Sequence, residues 1–120
     1  MLTRIVLMSL GGIAILSGQR PGVSYSRDIE PILVKSCVSC HQVTMAAGGL
    51  RLDAPENVLQ GGASGPAVIP GKAQRSLLYT RLTDTTAKRM PPAGTLTEEQ
   101  LALIRAWINL GAKIDSAAKR

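Results

Sequence analysis

The chain is poor in the residues that usually fill a protein core or build a metal site. Its 120 residues include no phenylalanine, two tyrosines and one tryptophan, so the core must be built from Leu, Ile and Val. Two cysteines and one histidine are too few for an iron–sulfur cluster, and a zinc site would need carboxylates to complete it. No internal repeat is visible, and no alternating stretch is long enough to predict a sheet.

A basic helix face and an aromatic platform are also missing, although the formal net charge is +6. Proteins that bind nucleic acid usually show both features, so we do not expect a nucleic-acid partner. A mildly basic surface instead steers association with proteins that present acidic docking surfaces.

The two cysteines and the single histidine fall within five consecutive residues, which read CVSCH from 37 to 41. Two thiols at this spacing can add to the two vinyl groups of one haem, and the next residue then lies under the iron. We therefore predict that Cys37 and Cys40 attach one haem c covalently and that His41 is the proximal iron ligand. A redox Cys-x-x-Cys normally follows a strand, whereas a helix is predicted here, and a disulfide closing so short a loop would stabilise little.

The second axial ligand must come from another residue type, because the chain has one histidine. A thioether sulfur is the usual alternative. Met45 follows His41 by four residues and starts on the proximal side of the haem. Met90 lies in a loop between two predicted helices and precedes two prolines that stiffen it, so we predict Met90 as the distal ligand. The alternative is a methionine that fills a gap in the core.

Residues 1–19 have the layout of a secretory signal, with an early arginine, an apolar run of about twelve residues and a small polar end. The run is too short to span a bilayer comfortably. No clean Ala-x-Ala cleavage site is present, so an uncleaved N-terminal anchor is the alternative. We expect an exported, periplasmic protein, either free or anchored on the periplasmic side of the membrane, with a linker at residues 20–24. Export agrees with haem attachment, which takes place outside the cytoplasm in bacteria.

Helix-start signals predict about four short helices separated by long loops. The first helix buries an Ile and Leu face and ends at the haem motif, and the last is capped by Thr97 with Gln100 placed for the reciprocal bond. The predicted starts are Ser26 or Asp28, Asp53, Ala73 and Thr97. The sequence therefore predicts an all-α fold.

Six further segments, in order over about residues 23–114, resemble the planctomycete-type cytochrome c domain, a branch of the class I c-type cytochromes. They read DIEPIL from 28, GGLRLD from 48, SGPAVIPG from 64, SLL from 76, MPP from 90 and WINLGA from 107. The family usually has glycine after the haem histidine, where this chain has Gln42. In that family the domain is often fused to much larger domains.

The resemblance implies a small cytochrome c-like fold around one covalently attached haem, occupying residues 25–114, with a tail at 115–120. It also implies that the first helix packs against the last one, with Trp107 near the crossing. By position it supports the cysteine attachments and the two axial ligands predicted above.

The resemblance also makes Arg51 a candidate partner for a haem propionate, since arginine matches a carboxylate with two hydrogen bonds. The alternative for Arg51 is a solvated surface charge. With histidine and methionine on the iron, the centre is closed to substrates. We therefore expect a single-haem electron carrier between exported or membrane redox proteins, and not an enzyme. The alternatives are an electron-entry cytochrome subunit of a larger exported dehydrogenase complex and a haem sensor that releases Met90 to bind a gas.

Overall fold

The structure, a computed structural model, describes residues 22–115. Its helices are α1 (Glu30–Ser36), α2 (Pro55–Gln60), α3 (Leu77–Leu82) and α4 (Glu98–Asn109), and its strands are β1 (His41–Gln42) and β2 (Met45–Ala46). The predicted signal or anchor at residues 1–19, the first two residues of the predicted linker and residues 116–120 of the predicted tail lie outside the described residues. In the described part of the chain, no helix is long and apolar enough to cross a membrane.

The prediction of four short helices is confirmed, but the prediction of an all-α fold is wrong in one respect. Strands β1 and β2 form an antiparallel hairpin directly after the haem motif, pairing His41 with Ala46 and Gln42 with Met45. Each strand has two residues. A strand this short leaves no alternation of apolar and polar residues to read from sequence.

The first helical segment begins earlier than predicted, with Ser24 as its N-cap. The Ser24 hydroxyl accepts a bond from the Arg27 N–H at 3.3 Å, and the Ser24 N–H donates to the Asp28 carboxylate at 2.8 Å. A π-helical turn, Tyr25–Ile29, then runs directly into α1. Asp28 thus completes a reciprocal cap instead of starting the helix.

Helix α2 also differs from its predicted start. Its N-cap is Ala54, which provides no side-chain bond. The predicted cap, Asp53, instead forms an ion pair with Arg51 at 2.9 Å. Helix α2 ends at Gly61, which adopts a φ of +84° that glycine tolerates best.

The helix predicted to start at Ala73 is divided in two by Ser76. A 3-10 turn (Ala73–Arg75) precedes an extended Ser76, and α3 follows. The fully buried Ser76 hydroxyl accepts a bond from the Ile69 N–H and donates to the Lys72 carbonyl, both at 2.8 Å. Those bonds hold the preceding loop against the start of α3.

Helix α4 starts as predicted, with Thr97 and Gln100 forming a capping box. The Gln100 N–H reaches the Thr97 hydroxyl at 3.1 Å, and the Thr97 N–H reaches the Gln100 side-chain oxygen at 2.9 Å. The inner face of α4 packs against the first helical segment and α3. As expected, the core is mostly Leu, Ile and Val with a few aromatic side chains; its largest fully buried members are Trp107, Tyr25, Ile29, Leu33, Ile104, Ile108 and Val58.

The two ends of the described region meet at Asp115. Its carboxylate accepts bonds from the Ser24 hydroxyl at 2.7 Å and from the Ser26 N–H at 2.9 Å. The start of the first helical segment is therefore fastened to the chain that leaves α4.

Candidate functional site

The haem motif forms a tight turn at the C-terminal end of α1. Cys37 is the C-cap, and its N–H and that of Val38 both donate to the Leu33 carbonyl at 2.9 Å. The N–H groups of Cys40 and His41 then turn back to the Cys37 carbonyl at 3.2 and 3.1 Å. One turn of chain at the end of α1 therefore carries Cys37, Cys40 and His41.

The two thiols are free and lie in different environments. Cys37 is half-buried and packs against the core, whereas Cys40 is exposed. Burial raises the pKa of the Cys37 thiol to about 11. Reactive redox cysteines have lowered pKa values and sit beside positive charges or helix N-termini, so this site does not resemble a thiol–disulfide centre.

The His41 ring is held by the backbone of Leu50. Its Nδ1 lies 3.2 Å from the Leu50 carbonyl oxygen. A carbonyl accepts hydrogen bonds but cannot donate them, so Nδ1 carries the proton and Nε2 keeps its lone pair. Histidine ligands in metalloproteins are oriented in this way by a bond from the second ring nitrogen. The Leu52 N–H also donates to the His41 carbonyl at 2.8 Å, which fixes the backbone of the ligand.

The surroundings of this turn fit a large apolar cofactor. Val43 and Met45, in the hairpin after the motif, are 69% and 54% exposed. Apolar side chains left open to solvent commonly mark a surface that a ligand or partner covers. With two thiols, a free imidazole nitrogen and these side chains, the site suits a haem attached through the cysteines.

Other metal centres lack ligands in the same region. Among residues 22–115, no group of three or more His, Cys, Asp or Glu residues is arranged to hold a metal ion. A zinc site completed by carboxylates, the alternative that the sequence allowed, therefore has no support in this part of the chain.

Met90 lies in the long loop between α3 and α4, apart in sequence from the other site residues. Its N–H donates to the Arg81 carbonyl at 2.9 Å, which attaches the loop to α3, and the peptide bond to Pro91 is cis. The loop is further ordered by Asp84, whose carboxylate accepts the Thr86 N–H at 2.7 Å. Met90 is absent from the core cluster, which disfavours the gap-filling alternative. Its role as an iron ligand stays a prediction.

Arg51 donates two hydrogen bonds to the Asp53 carboxylate, from Nε to one oxygen at 3.1 Å and from Nη2 to the other at 2.9 Å. The bond from Arg51 lowers the pKa of the Asp53 carboxyl group. The Arg51 side chain is 38% exposed, so a propionate could reach it. Because Asp53 already binds the guanidinium, the propionate would have to share that group with Asp53 or displace it. The propionate contact stays a prediction.

Sequence reasoning missed one functional group, the Leu50 carbonyl. A backbone acceptor leaves no signal in residue type. The nearest hint is the glycine pair before it, Gly48 and Gly49, which allows the chain to turn back toward His41.

Comparison with known proteins agrees with this site. Residues 37–94 match the family model of planctomycete cytochrome C, which confirms the resemblance found in the sequence. The structure is similar to a solved chain of hydrazine synthase from Kuenenia stuttgartiensis, with a TM-score of 0.60 and 30% sequence identity. That match covers 83% of this chain and 17% of the hydrazine synthase chain. No curated protein matches the sequence.

Proposed function

We propose that the chain is a single-haem c-type cytochrome that carries one electron between redox proteins, in keeping with the match of residues 37–94 to the planctomycete cytochrome C family model. The observation that carries the proposal is the turn after α1. It places two free thiols beside an imidazole whose Nδ1 is committed to the Leu50 carbonyl, at 3.2 Å. That arrangement leaves Nε2 available to the iron.

When bound, the haem supplies reversible one-electron oxidation and reduction. Cys37 and Cys40 hold it by thioether bonds, and the partly buried position of Cys37 ties it to the core. His41 provides the proximal nitrogen, with its ring fixed by Leu50.

Met90 is the distal ligand in this proposal. The bond from its N–H to the Arg81 carbonyl and the ordered Asp84 turn hold its loop in one conformation. A fixed loop keeps a weak iron–sulfur bond formed, because little chain entropy is lost when the bond closes. With both axial positions filled, the protein makes and breaks no substrate bonds and works as a carrier.

The segment that leads through α3 into the Met90 loop gives the protein its docking charge. Residues 72–94, which include α3, contain five arginines and lysines and one acidic residue, Asp84. Lys88 and Arg89 directly precede Met90, and both are exposed. This charge favours a redox partner whose docking surface is acidic.

Residues 1–19 support the proposed compartment. Their charged start and apolar run suit export to the periplasm, with the segment either removed or kept as an anchor on the periplasmic side. The mass of the N-terminal peptide of the purified protein distinguishes these two outcomes.

A second candidate function is favoured by the structural comparison. This chain aligns with 17% of a chain named hydrazine synthase, so a similar fold occurs as one part of a longer chain. This chain could likewise serve as the electron-entry subunit of a larger exported dehydrogenase complex. Purification under native conditions tests this, because a subunit elutes with a partner in fixed stoichiometry and a free carrier elutes alone.

The mass and visible spectrum of the exported protein test the main proposal. We expect the mass of the chain plus one haem, and a reduced spectrum typical of haem c. The protein should be exported from cells that contain the machinery for attaching haem c. If it is then recovered as a colourless chain with two free thiols, the proposal is refuted.

A further inference from the structure

The Leu50 carbonyl aims His41, but short-range contacts hold that carbonyl weakly. Leu50 follows a 3-10 turn, Ala47–Gly49, and its N–H reaches the Ala47 carbonyl at 3.3 Å, beyond the usual hydrogen-bond length. The turn contains two glycines, and all of its residues are exposed. Its position must therefore be set by contacts from elsewhere in the chain.

Two such contacts flank the segment, where the Ala47 N–H donates to the Cys40 carbonyl at 3.1 Å and the Leu52 N–H donates to the His41 carbonyl at 2.8 Å. The contact to residues 48–50 themselves comes from the glycine turn, which we define as residues 61–65, directly after α2. The Ala63 N–H donates to the Gly48 carbonyl at 2.8 Å. Gly62 and Gly65 bond to each other in both directions, at 3.1 and 3.0 Å, which closes the turn. The backbone of the glycine turn thus lies directly against the segment that carries the Leu50 carbonyl.

Gly62 is the point of closest approach between the two segments. A Cβ atom at this position would lie 2.6 Å from the Gly48 carbonyl oxygen, 2.9 Å from the Leu50 nitrogen and 3.1 Å from the Leu50 Cβ. Backbone atoms cannot yield as the end of a flexible side chain can. Gly62 does not adopt a left-handed φ, so alanine at this position would fit the local conformation. Its methyl group would act by pushing residues 48–50 away.

We propose that Gly62 is a positioning residue for the axial histidine. By letting the two backbones touch, it keeps the Leu50 carbonyl within bonding distance of His41 Nδ1. That bond raises the basicity of the imidazole and so favours ferric iron. Gly62 therefore helps to set the potential of the haem, although it belongs to neither the haem motif nor a ligand loop. This role rests on the proposed function, because it requires iron on His41.

The experiment compares Gly62→Ala with Gly65→Ala in exported, haem-loaded protein. Gly65 belongs to the same turn and has a φ of +104°, but a Cβ there would meet nothing within 4 Å. Both variants therefore disturb the glycine turn, and only Gly62→Ala pushes on residues 48–50. We expect Gly62→Ala to raise the midpoint potential and to speed exchange of the His41 Nδ1 proton by about two- to tenfold, the factor for losing one hydrogen bond. Gly65→Ala should lower the melting temperature but leave both signals at their wild-type values.

Equal potentials and equal exchange rates in the two variants and the wild type would overturn the role of Gly62, and so would equal shifts in both variants. Both of these outcomes leave the proposed function unchanged as long as the wild-type protein carries haem. A wild-type protein without haem would refute the proposed function itself.

If Gly62→Ala yields no haem protein, exchange in the wild type decides. The Ala63 N–H and the His41 Nδ1 proton should then exchange through one local opening, with the same dependence on denaturant. Exchange of the Ala63 proton while the His41 proton stays protected would overturn the proposal.

Discussion

The rings of Tyr25 and Trp107 lie with their centroids 5.5 Å apart and their planes inclined by 46°. Both side chains are almost fully buried, at 1% exposure each. Trp107 also donates its indole N–H to the Lys113 carbonyl at 2.9 Å. One aromatic pair thus joins the segment that leads into α1, the helix α4 and the chain that leaves it. Since the haem motif follows α1 directly, this pair fixes the position of the helix from which the motif extends.

The energy of this aromatic pair can be measured with a double-mutant cycle. We expect Tyr25→Leu and Trp107→Leu to show a coupling energy of about 0.5–1.5 kcal/mol, the range for inclined aromatic pairs. Denaturant unfolding of the wild type, both single variants and the double variant gives the value. Tyr79 is the matched control, because it is buried but forms no ring contact with Trp107 among residues 22–115. A Tyr79–Trp107 coupling as large as that of Tyr25–Trp107 would contradict the assignment.

Tyr25 should make the protein less stable at high pH. Burial, and then the nearby charges of Glu30 and Glu56, raise the pKa of the Tyr25 hydroxyl in the folded protein. An unfolded tyrosine ionises near about pH 10. Below that pH both states keep the proton and the stability is complete; above it the unfolded state loses the proton first, and the free energy of unfolding falls as pH rises.

Tyr25→Phe removes this titration, so its free energy of unfolding should depend less steeply on pH between about 9 and 11 than that of the wild type. Urea unfolding at several pH values in this window measures both slopes. Parallel curves for the two proteins would show that Tyr25 ionises as easily in the folded state as in the unfolded state.

Covalent attachment of haem should require both cysteines. We expect acid–acetone extraction to leave the colour on the wild-type protein, and Cys37→Ala combined with Cys40→Ala to yield a largely unfolded chain, because the small core loses its central apolar plate. Ser39→Ala, inside the same motif, is the control and should keep its haem. Complete extraction of the colour from correctly exported wild-type protein would refute covalent attachment.

The sixth ligand is tested by a matched pair of methionine variants. A thioether favours ferrous iron, so Met90→Ala should lower the potential, remove the weak far-red band of the ferric protein and open the iron to carbon monoxide. Met45→Ala should change none of these, because Met45 pairs with Gln42 in the hairpin on the proximal side. Loss of the band in Met45→Ala and its retention in Met90→Ala would reverse the assignment. If neither variant matters and the wild type binds carbon monoxide readily, the iron is five-coordinate and the gas-sensor alternative gains support.

The charge next to Met90 should control reaction with charged partners. We expect oxidation of the reduced protein by ferricyanide, an anion, to slow several-fold in Lys88→Glu and to slow with added salt, because steering is screened over about 8 Å at physiological ionic strength. Lys113→Glu changes the net charge equally but lies after α4, so it should have a smaller effect. Equal rates for the two variants, or a rate unaffected by salt, would show that these charges are merely solvated.

Sequence predicts the parts of this fold that depend on residue type. The haem motif contains both cysteines and the single histidine of the chain. The capping box pairs two specific side chains, Thr97 and Gln100. The helical spacing of Ile104, Trp107 and Ile108 likewise identifies the buried face of α4. In each case a side chain carries the information, so reading residue types along the chain recovers the structure.

The parts that sequence does not predict are made by the backbone. The two-residue strands after His41 have no pattern, and the acceptor at Leu50 is a carbonyl that any residue would provide. The close contact of Gly62 with residues 48–50 has no signal in the sequence, because it depends on how two separate loops meet. Asp53 also shows how a neighbour in the chain, Arg51, can bind a side chain that was expected to cap a helix.

The bonds between Asp115 and Ser24 place the entrance and the exit of this domain side by side, with the Ser24 hydroxyl 2.7 Å from the carboxylate. A domain whose ends adjoin can be spliced into a surface loop of another protein with short connections and little distortion of either partner. The proposed haem site would then move with the domain into the other protein, since all of its residues lie between those two ends.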